Sequence, residues 1–477
     1  MPALLAAVGS RGRLKRMAHH ATIGGGSTAR LMIGLLAVTV FSAFEHMAIG
    51  PILPMIGADL GGLGQYGLAY AASLASSIVG MAAMGTAVDR GRIAIGFVFS
   101  GAMFGGGLLV MALTGSMAVF VAGRLVQGLG TGGLAVACYA AIAVGFPVER
   151  HRPMIGWLAS AWLLPVMVGP LVAVAIAELT SWRWVFFGVA LLSPIAVVIA
   201  VPPLRRGAPP LEVPVRGAAR LTLSVLVGAG VLAVSAATTV SVLPTPVVIL
   251  AGVVLAGIGL VVLLPKGIFR AARGLPAAVL ARATGAAAVY SIQAYLPVVF
   301  ESRYADGAWI SGIVLTASGI GWAMAAVLSA RMQRTLSSTA ATRIGAFGVL
   351  MGAVAATLAI GMGWHPVVLG AVWAAVGAAM GVLSPGAAAI VIAADDARGD
   401  NTSAITISET ALAAFGIAIG GVLVGAFSDE SGFVLIGVIG IVFALFAAFG
   451  STRTAAAGSS GAAQTAGNTG ANARVAE

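Results

Sequence analysis

Apolar residues run through this chain in long blocks, cut at intervals by charged clusters, Gly/Pro turns or short polar stretches. A helix of about 20 apolar residues is what the hydrocarbon core of a bilayer requires. Blocks of that length lie near residues 31–54, 66–88, 93–114, 118–146, 154–178, 184–204, 221–242, 245–265, 277–300, 308–330, 342–362, 367–393, 402–427 and 432–450, so the pattern predicts fourteen transmembrane helices. The seventh and eighth are the least sharply divided. Residues 221–265 contain no charged residue, and Leu243-Pro244-Thr245-Pro246 interrupts them in the middle. One helix cannot use so long a run, so two helices joined by a short turn are expected.

Composition agrees with a bilayer. Of 477 residues 60% are hydrophobic and only 9% charged, with a mean hydropathy of +1.05. An ordinary soluble domain is about 45–50% apolar and about 25% charged. So few charges could not cover so much apolar surface in water, which excludes most soluble enzymes, disordered chains and secreted disulfide scaffolds. The lone cysteine, Cys138, stands in an apolar run, so neither a disulfide framework nor a thiolate metal site is expected.

The net charge of +11 would suggest nucleic acid in a soluble protein; here its placement along the chain matters more. With the N-terminus inside, 23 of the 26 Lys and Arg residues fall on inner segments, Arg282 being counted there with Lys266, Arg270 and Arg273. Arg183 and Arg303 fall outside, and Arg124 lies within a span. Such a bias predicts a multi-pass protein of the cell inner (plasma) membrane with both termini cytoplasmic, in contact with lipid and not with nucleic acid. Residues 1–30 read as a cytoplasmic basic tail, with Met17 as an alternative start. Residues 31–204 form a six-helix bundle, 205–276 a linker carrying two extra helices, and 277–450 a second six-helix bundle. Residues 451–477, rich in Ala, Gly, Ser, Thr and Asn, read as a disordered cytoplasmic tail.

Charge inside a bilayer is costly, so each intramembrane charge needs a reason. Three stand out: Glu45 in span 1, Arg124 in span 4 and Glu409 in the penultimate span. Near mid-depth, Glu45 can load and release a proton as its surroundings alternate; alternatively it is a structural carboxyl permanently paired with Arg124. Arg124 is a fixed charge suited to holding a carboxylate or polar backbone. Gln127, three residues on, shares its helical face and is a candidate for substrate contact. Glu409 reads as a second proton site, a substrate counter-charge or a structural hydrogen-bond partner. His46 neighbours Glu45 but points to another face, as a packed polar residue. Tyr139, Tyr290, Gln293, Tyr295, Trp157, Trp162 and Trp322 are mid-span candidates for a cavity wall, although helix packing or interfacial anchoring is the commoner role of such residues; Gln293 is the best of them, because a mid-span amide needs a partner. No nucleotide loop, metal cluster or nucleophile triad is visible, and Asp395, Asp396 and Asp400 read as a solvated turn.

Several short patterns fall on particular spans. The turn between spans 2 and 3 reads Gly85-Thr86-Ala87-Val88-Asp89-Arg90-Gly91-Arg92. Span 4 carries Arg124-x-x-Gln127-Gly128, span 5 carries Gly156, Pro165 and Gly169-Pro170, span 1 carries Glu45 and Leu53-Pro54, and Trp182-Arg183-Trp184 follows span 5. Together these resemble the major facilitator superfamily, specifically its fourteen-helix drug:proton antiporter branch. The resemblance covers the first six helices well and the second half mainly in span count. The turn is one residue shorter than the family's form. Pro165, Ala173 and Val174 stand where the family's span 5 motif has glycines, and Glu45 stands where the family usually has Asp.

The resemblance implies a major facilitator fold, with two six-helix bundles and an inserted two-helix hairpin. It implies proton-coupled export of lipophilic or amphiphilic small molecules by alternating access, with no enzyme activity and no cofactor beyond the proton gradient. Glu45, Arg124 and Glu409 would serve proton coupling. Gly85, Asp89, Arg90, Pro165, Gly169 and Pro170 would serve gating, with Asp89 meeting the segment around Asn401, Thr402 and Ser403. Gln127, Tyr139, Gln293, Tyr290 and Trp157 would contact substrate. A monomer is expected. Export of a native lipid and proton-coupled uptake of an organic solute stay open as alternatives; a non-transporting receptor or scaffold fits less well.

Overall fold

The structure is a computed structural model that describes residues 25–204, 217–239, 244–332, 336–393, 399–427 and 431–455. The expected basic tail up to residue 24, linker residues 205–216, the Asp395-Asp396 turn and the tail from residue 456 lie outside the described residues.

Among the described residues, sixteen α-helices make up fourteen segments long and apolar enough to cross a membrane. The first four are α1 (Gly25–Asp59), α2 (Tyr66–Asp89), α3 (Ile93–Leu113) and α4 (Met117–Gly145). The fifth is broken into α5 (Val148–Ser160) and α6 (Leu163–Leu179), and α7 (Trp182–Leu204) is the sixth. The extra hairpin is α8 (Gly217–Ala236) and α9 (Thr245–Leu263). The ninth span is again broken, into α10 (Leu275–Gln293) and α11 (Leu296–Arg303). There follow α12 (Gly307–Arg331), α13 (Ser338–Gly361), α14 (Pro366–Ala393), α15 (Gly399–Ala426) and α16 (Ser431–Thr452).

Both breaks have one cause. A proline cannot donate to the carbonyl four residues back, and its ring collides with that carbonyl. Pro165 acts on Ala161, where α5 ends, and Pro297 acts on Gln293, where α10 ends. The sequence predicts a break or bend in span 5, from Pro165, Gly169 and Pro170, but one unbroken helix in span 9. The shortened turn between α2 and α3 has an equally local explanation. Gly91 takes φ +71, its N–H donates to Val88 O at 2.9 Å, and the Arg92 N–H donates to Ala87 O at 2.8 Å. This pair of bonds closes the helix end only when a left-handed residue stands there, hence glycine directly after Arg90.

The helix pairings repeat between the two halves. In the first, α2 packs on α4, α3 on α4 and α7, and α1 on α6 and α7. In the second, α12 packs on α14, α13 on α14 and α16, and α10 on α15 and α16. The second set is the first set displaced by one bundle, as a major facilitator fold of two related bundles requires. The halves meet along two seams, α6 on α12 and α2 on α15, and α8 of the hairpin lies against α2 and α15.

The halves are drawn together at the end opposite the start of α1 and the end of α16. There the Tyr66 hydroxyl of the first half donates to the Ala294 carbonyl of the second at 2.5 Å, and its ring lies 5.5 Å from that of Tyr295, whose hydroxyl is held within the second half by donating to Ile417 O at 2.6 Å. The backbones of α2 and α15 touch at Gly67 and Gly421, where a side chain on Gly67 would stand 2.8 Å from Gly421 Cα. Such a contact tolerates no Cβ. Gly67→Val should therefore weaken closure by about 1–3 kcal/mol, the usual cost of overpacking. Pulsed spin-label distances between Gly115 and Asp306 at that end should gain a long component in this variant; an unchanged distribution contradicts the assignment.

Candidate functional site

Among the described residues two ion pairs lie well inside the spans, one in each half, while a third, Arg183–Asp59, joins the ends of α7 and α1. In the first half α4 approaches α2 closely, because a side chain at Gly128 would stand 2.7 Å from Ser73 Cα. This brings Ser73 to Gln127: the serine hydroxyl donates to Gln127 Oε1 at 2.9 Å. The Gln127 amide donates to Glu45 Oε2 at 2.7 Å and to Thr131 Oγ1 at 2.8 Å. Arg124 pairs with Glu45 Oε1, and its Nε donates to the Ala69 carbonyl at 3.2 Å. Glu45, Arg124 and Gln127 are 2%, 1% and 0% exposed. Both oxygens of Glu45 are engaged in a network closed to the cavity. Gln127, expected at the substrate, belongs to that network.

The second pair joins Arg282 of α10 to Glu409 of α15. Arg282 Nε and Nη2 both approach Glu409 Oε2 at 3.0 Å, and the two side chains are 23% and 22% exposed. Sequence reading missed Arg282 by counting it among the inner-side basic residues. It lies about two turns inside α10, because that helix starts at Leu275, just after Gly274. The signal that could have found it is the charge of Glu409: a carboxylate inside a span calls for a cation, and Arg282 is the arginine of the adjoining helix.

Arg282 and Glu409 lie on the wall of a cavity between the halves that encloses about 770 Å³ of non-protein space, part of it open to solvent. The first half contributes Met47, Trp162 and Val166. The second contributes Tyr290, Gln293, Leu315, Trp322, Met380 and Ser384, among others. Both proline breaks serve this wall, since Trp162 sits at one and Gln293 at the other. The His46 ring meets Trp162 and Tyr290 edge-on, with centroids 6.2 Å apart in each case. Tyr290 also lies within electrostatic reach of Glu409, Arg282 and Tyr70, and Tyr70 within reach of Arg124 and Glu45.

The other expected residues fall as follows. Tyr290 and Gln293 line the cavity, whereas Tyr139 and Trp157 are 40% and 61% exposed and lie outside its lining. Pro165, Gly169 and Pro170 are buried in α6. A side chain on Gly169 would stand 3.2 Å from the Cβ of Met47, so this glycine seats α6 against α1. Asp89 ends α2 within electrostatic reach of Arg90 and of Arg220 on the hairpin. The side chains of Asn401, Thr402 and Ser403 lie outside the described residues. Gly85 and Gly156 have nothing within 4 Å of where a side chain would begin.

The sequence profile of the Major Facilitator Superfamily matches residues 35–412. The chain belongs to the Major Facilitator Superfamily. Among superfamily relatives, a "Probable multidrug-efflux transporter" of Mycobacterium tuberculosis is 29% identical over 204 residues, covering 42% of this chain and 43% of that protein. "Multidrug resistance protein 3" of Bacillus subtilis is 27% identical over 161 residues, covering 34% and 31%. The matched stretches span less than half the length of these relatives. Among solved structures, a peptide transporter POT in complex with sulfate superposes with a TM-score of 0.67 at 17% identity, over 92% of this chain and 98% of that one. A D-xylose–proton symporter gives 0.63 at 15%, over 88% and 96%. The superfamily is one of transporters, so this is a multi-pass membrane transporter and not an enzyme.

In this transporter the Glu45–Arg124 pair should be structural in its energetics. Arg124→Gln leaves a buried carboxylate without its cation, a change that typically costs about 3–5 kcal/mol. Thermal unfolding in detergent should show a large loss for Arg124→Gln and a substantial recovery in Glu45→Gln/Arg124→Gln. Equal stability of the single variant and wild type would contradict the network.

Proposed function

We propose that the protein exports lipophilic or amphiphilic small molecules across the cell inner membrane, in exchange for protons, by alternating access. The observation that carries this reading is the cavity between the halves: mostly apolar and aromatic, with one ion pair, Arg282–Glu409, on its wall. The names of relatives in Mycobacterium tuberculosis and Bacillus subtilis support the substrate class. The one-sided distribution of Lys and Arg supports a cytoplasmic position for both termini. The closed end, with Tyr66, Gly67 and Gly421, then faces outward, and this conformation faces inward. Gly85 and Gly156, which touch nothing here, are surfaces for the opposite state, in which the inner end closes and small residues let helices approach.

The pair supplies a physical basis for exchange. When Glu409 is ionised it neutralises Arg282, and the wall presents no net charge to an apolar ligand. When Glu409 takes a proton, Arg282 is left as an uncompensated cation that must be hydrated, and burying it beneath an apolar ligand is costly. Proton and lipophilic substrate therefore exclude one another. Arg282 cannot release a proton itself, so in this reading the exchanged proton is carried by Glu409. Glu45, with both oxygens bonded, holds α1 to α4 and steadies the cavity face of α1 through Met47.

The test is transport in inside-out membrane vesicles with a neutral lipophilic fluorophore. Accumulation is expected when the lumen is made acid and not when it is made alkaline. Accumulation driven by an alkaline lumen would instead identify proton-coupled uptake in the cell.

A further inference from the structure

The two seams between the halves are unlike. The α2–α15 seam is covered by the hairpin. A side chain on Gly228 of α8 would stand 2.9 Å from the Ala75 carbonyl of α2, and Gly425 of α15 meets Thr238, just past the end of α8. At the other end of α8, Arg220 lies within electrostatic reach of Asp89. The helix thus runs along the whole seam, with α9 packed on its far side.

The α6–α12 seam has no such cover among the described helices. It is tight from Gly312, which meets Leu171 and Val174, to Gly319, which meets the Val166 carbonyl. Next along, toward the end that bears the termini, stand Trp162 and Trp322, both on the cavity wall. Beyond them the chain has turned at the Pro165 break. There α5 packs on α1, α4 and α6, and the seam with α12 is carried by α6. Gly156 has empty space beside it, Ala159 and Ser160 are exposed, and Val327 and Leu328 of α12 are exposed apolar side chains. Large apolar side chains in a membrane-spanning helix are stable against hydrocarbon, not against water.

We propose that the gap between α5 and α12, framed by Trp162 and Trp322, is a lateral portal through which substrate dissolved in the bilayer reaches the cavity, and that the α8–α9 hairpin seals the equivalent opening on the opposite face. The hairpin makes access one-sided. Substrate arrives from the leaflet at the terminus-bearing end, and the portal shuts when Gly156 and its neighbours close on α12. This rests on the export reading above for its substrate, but the portal can be tested without any transported compound.

In liposomes of phosphatidylcholine with brominated acyl chains, the emission difference between wild type and Trp162→Phe/Trp322→Phe should lose most of its intensity relative to unbrominated lipid. Difference emission that is insensitive to brominated lipid and quenched only by aqueous acrylamide would overturn the portal. As a second measurement, p-benzoylphenylalanine at Ala159 should photo-crosslink to lipid acyl chains. The same group at Val79, whose side chain lies 3.4 Å from the Cβ position of Gly228 under the hairpin, should crosslink to protein. Lipid adducts at Val79 equal to those at Ala159, or none at Ala159, would overturn the one-sided arrangement. A protein that fails the vesicle assay and passes these has the portal without the proposed export.

Discussion

An arginine cannot give up its charge, and a bilayer-spanning bundle cannot leave that charge unpaired. This constraint organises both halves of the protein. Arg124 meets it by permanent enclosure: one oxygen of Glu45, the Ala69 carbonyl and the Gln127 amide surround the guanidinium, and the network is closed to the cavity. Arg282 meets it with a partner that remains partly exposed on the cavity wall. In the proposed function the same chemistry in two degrees of burial serves two roles: the fully bonded carboxylate holds helices in register, and the partly exposed one takes the proton that changes what the cavity tolerates.

Prolines and glycines place these groups. The Pro165 and Pro297 breaks put Trp162 and Gln293 on the cavity wall. Glycines mark where helices touch through their backbones, as at Gly67 against Gly421, and also where nothing yet touches, as at Gly85 and Gly156.

Much of this was legible in the sequence because hydrophobic length and the cost of buried charge are local signals. The fourteen spans follow from run length, and Glu45 and Arg124 stand out as charges in apolar blocks. Arg282 did not, because a charge two turns from the start of a run reads as a loop residue until the helix boundary is known. The tyrosine closure was equally hidden: Tyr66 and Tyr295 bond to backbone carbonyls far away in sequence, which no residue pattern announces. Trp157 and Tyr139 were plausible cavity residues by type, but which face of a helix looks inward is set by tertiary packing. The position of the hairpin could not be read at all, since a uniformly apolar helix pair looks the same wherever it docks.

The most direct measurement compares Glu409→Gln with Glu45→Gln in reconstituted vesicles, each scored for uphill transport driven by a pH gradient and for downhill exchange of the same lipophilic dye. If Glu409 carries the coupled proton, Glu409→Gln loses uphill transport and keeps exchange, while Glu45→Gln lowers the amount of folded protein without uncoupling what remains. Full pH-driven accumulation by Glu409→Gln, with selective loss of it in Glu45→Gln, would contradict this and move the coupling site to the buried pair.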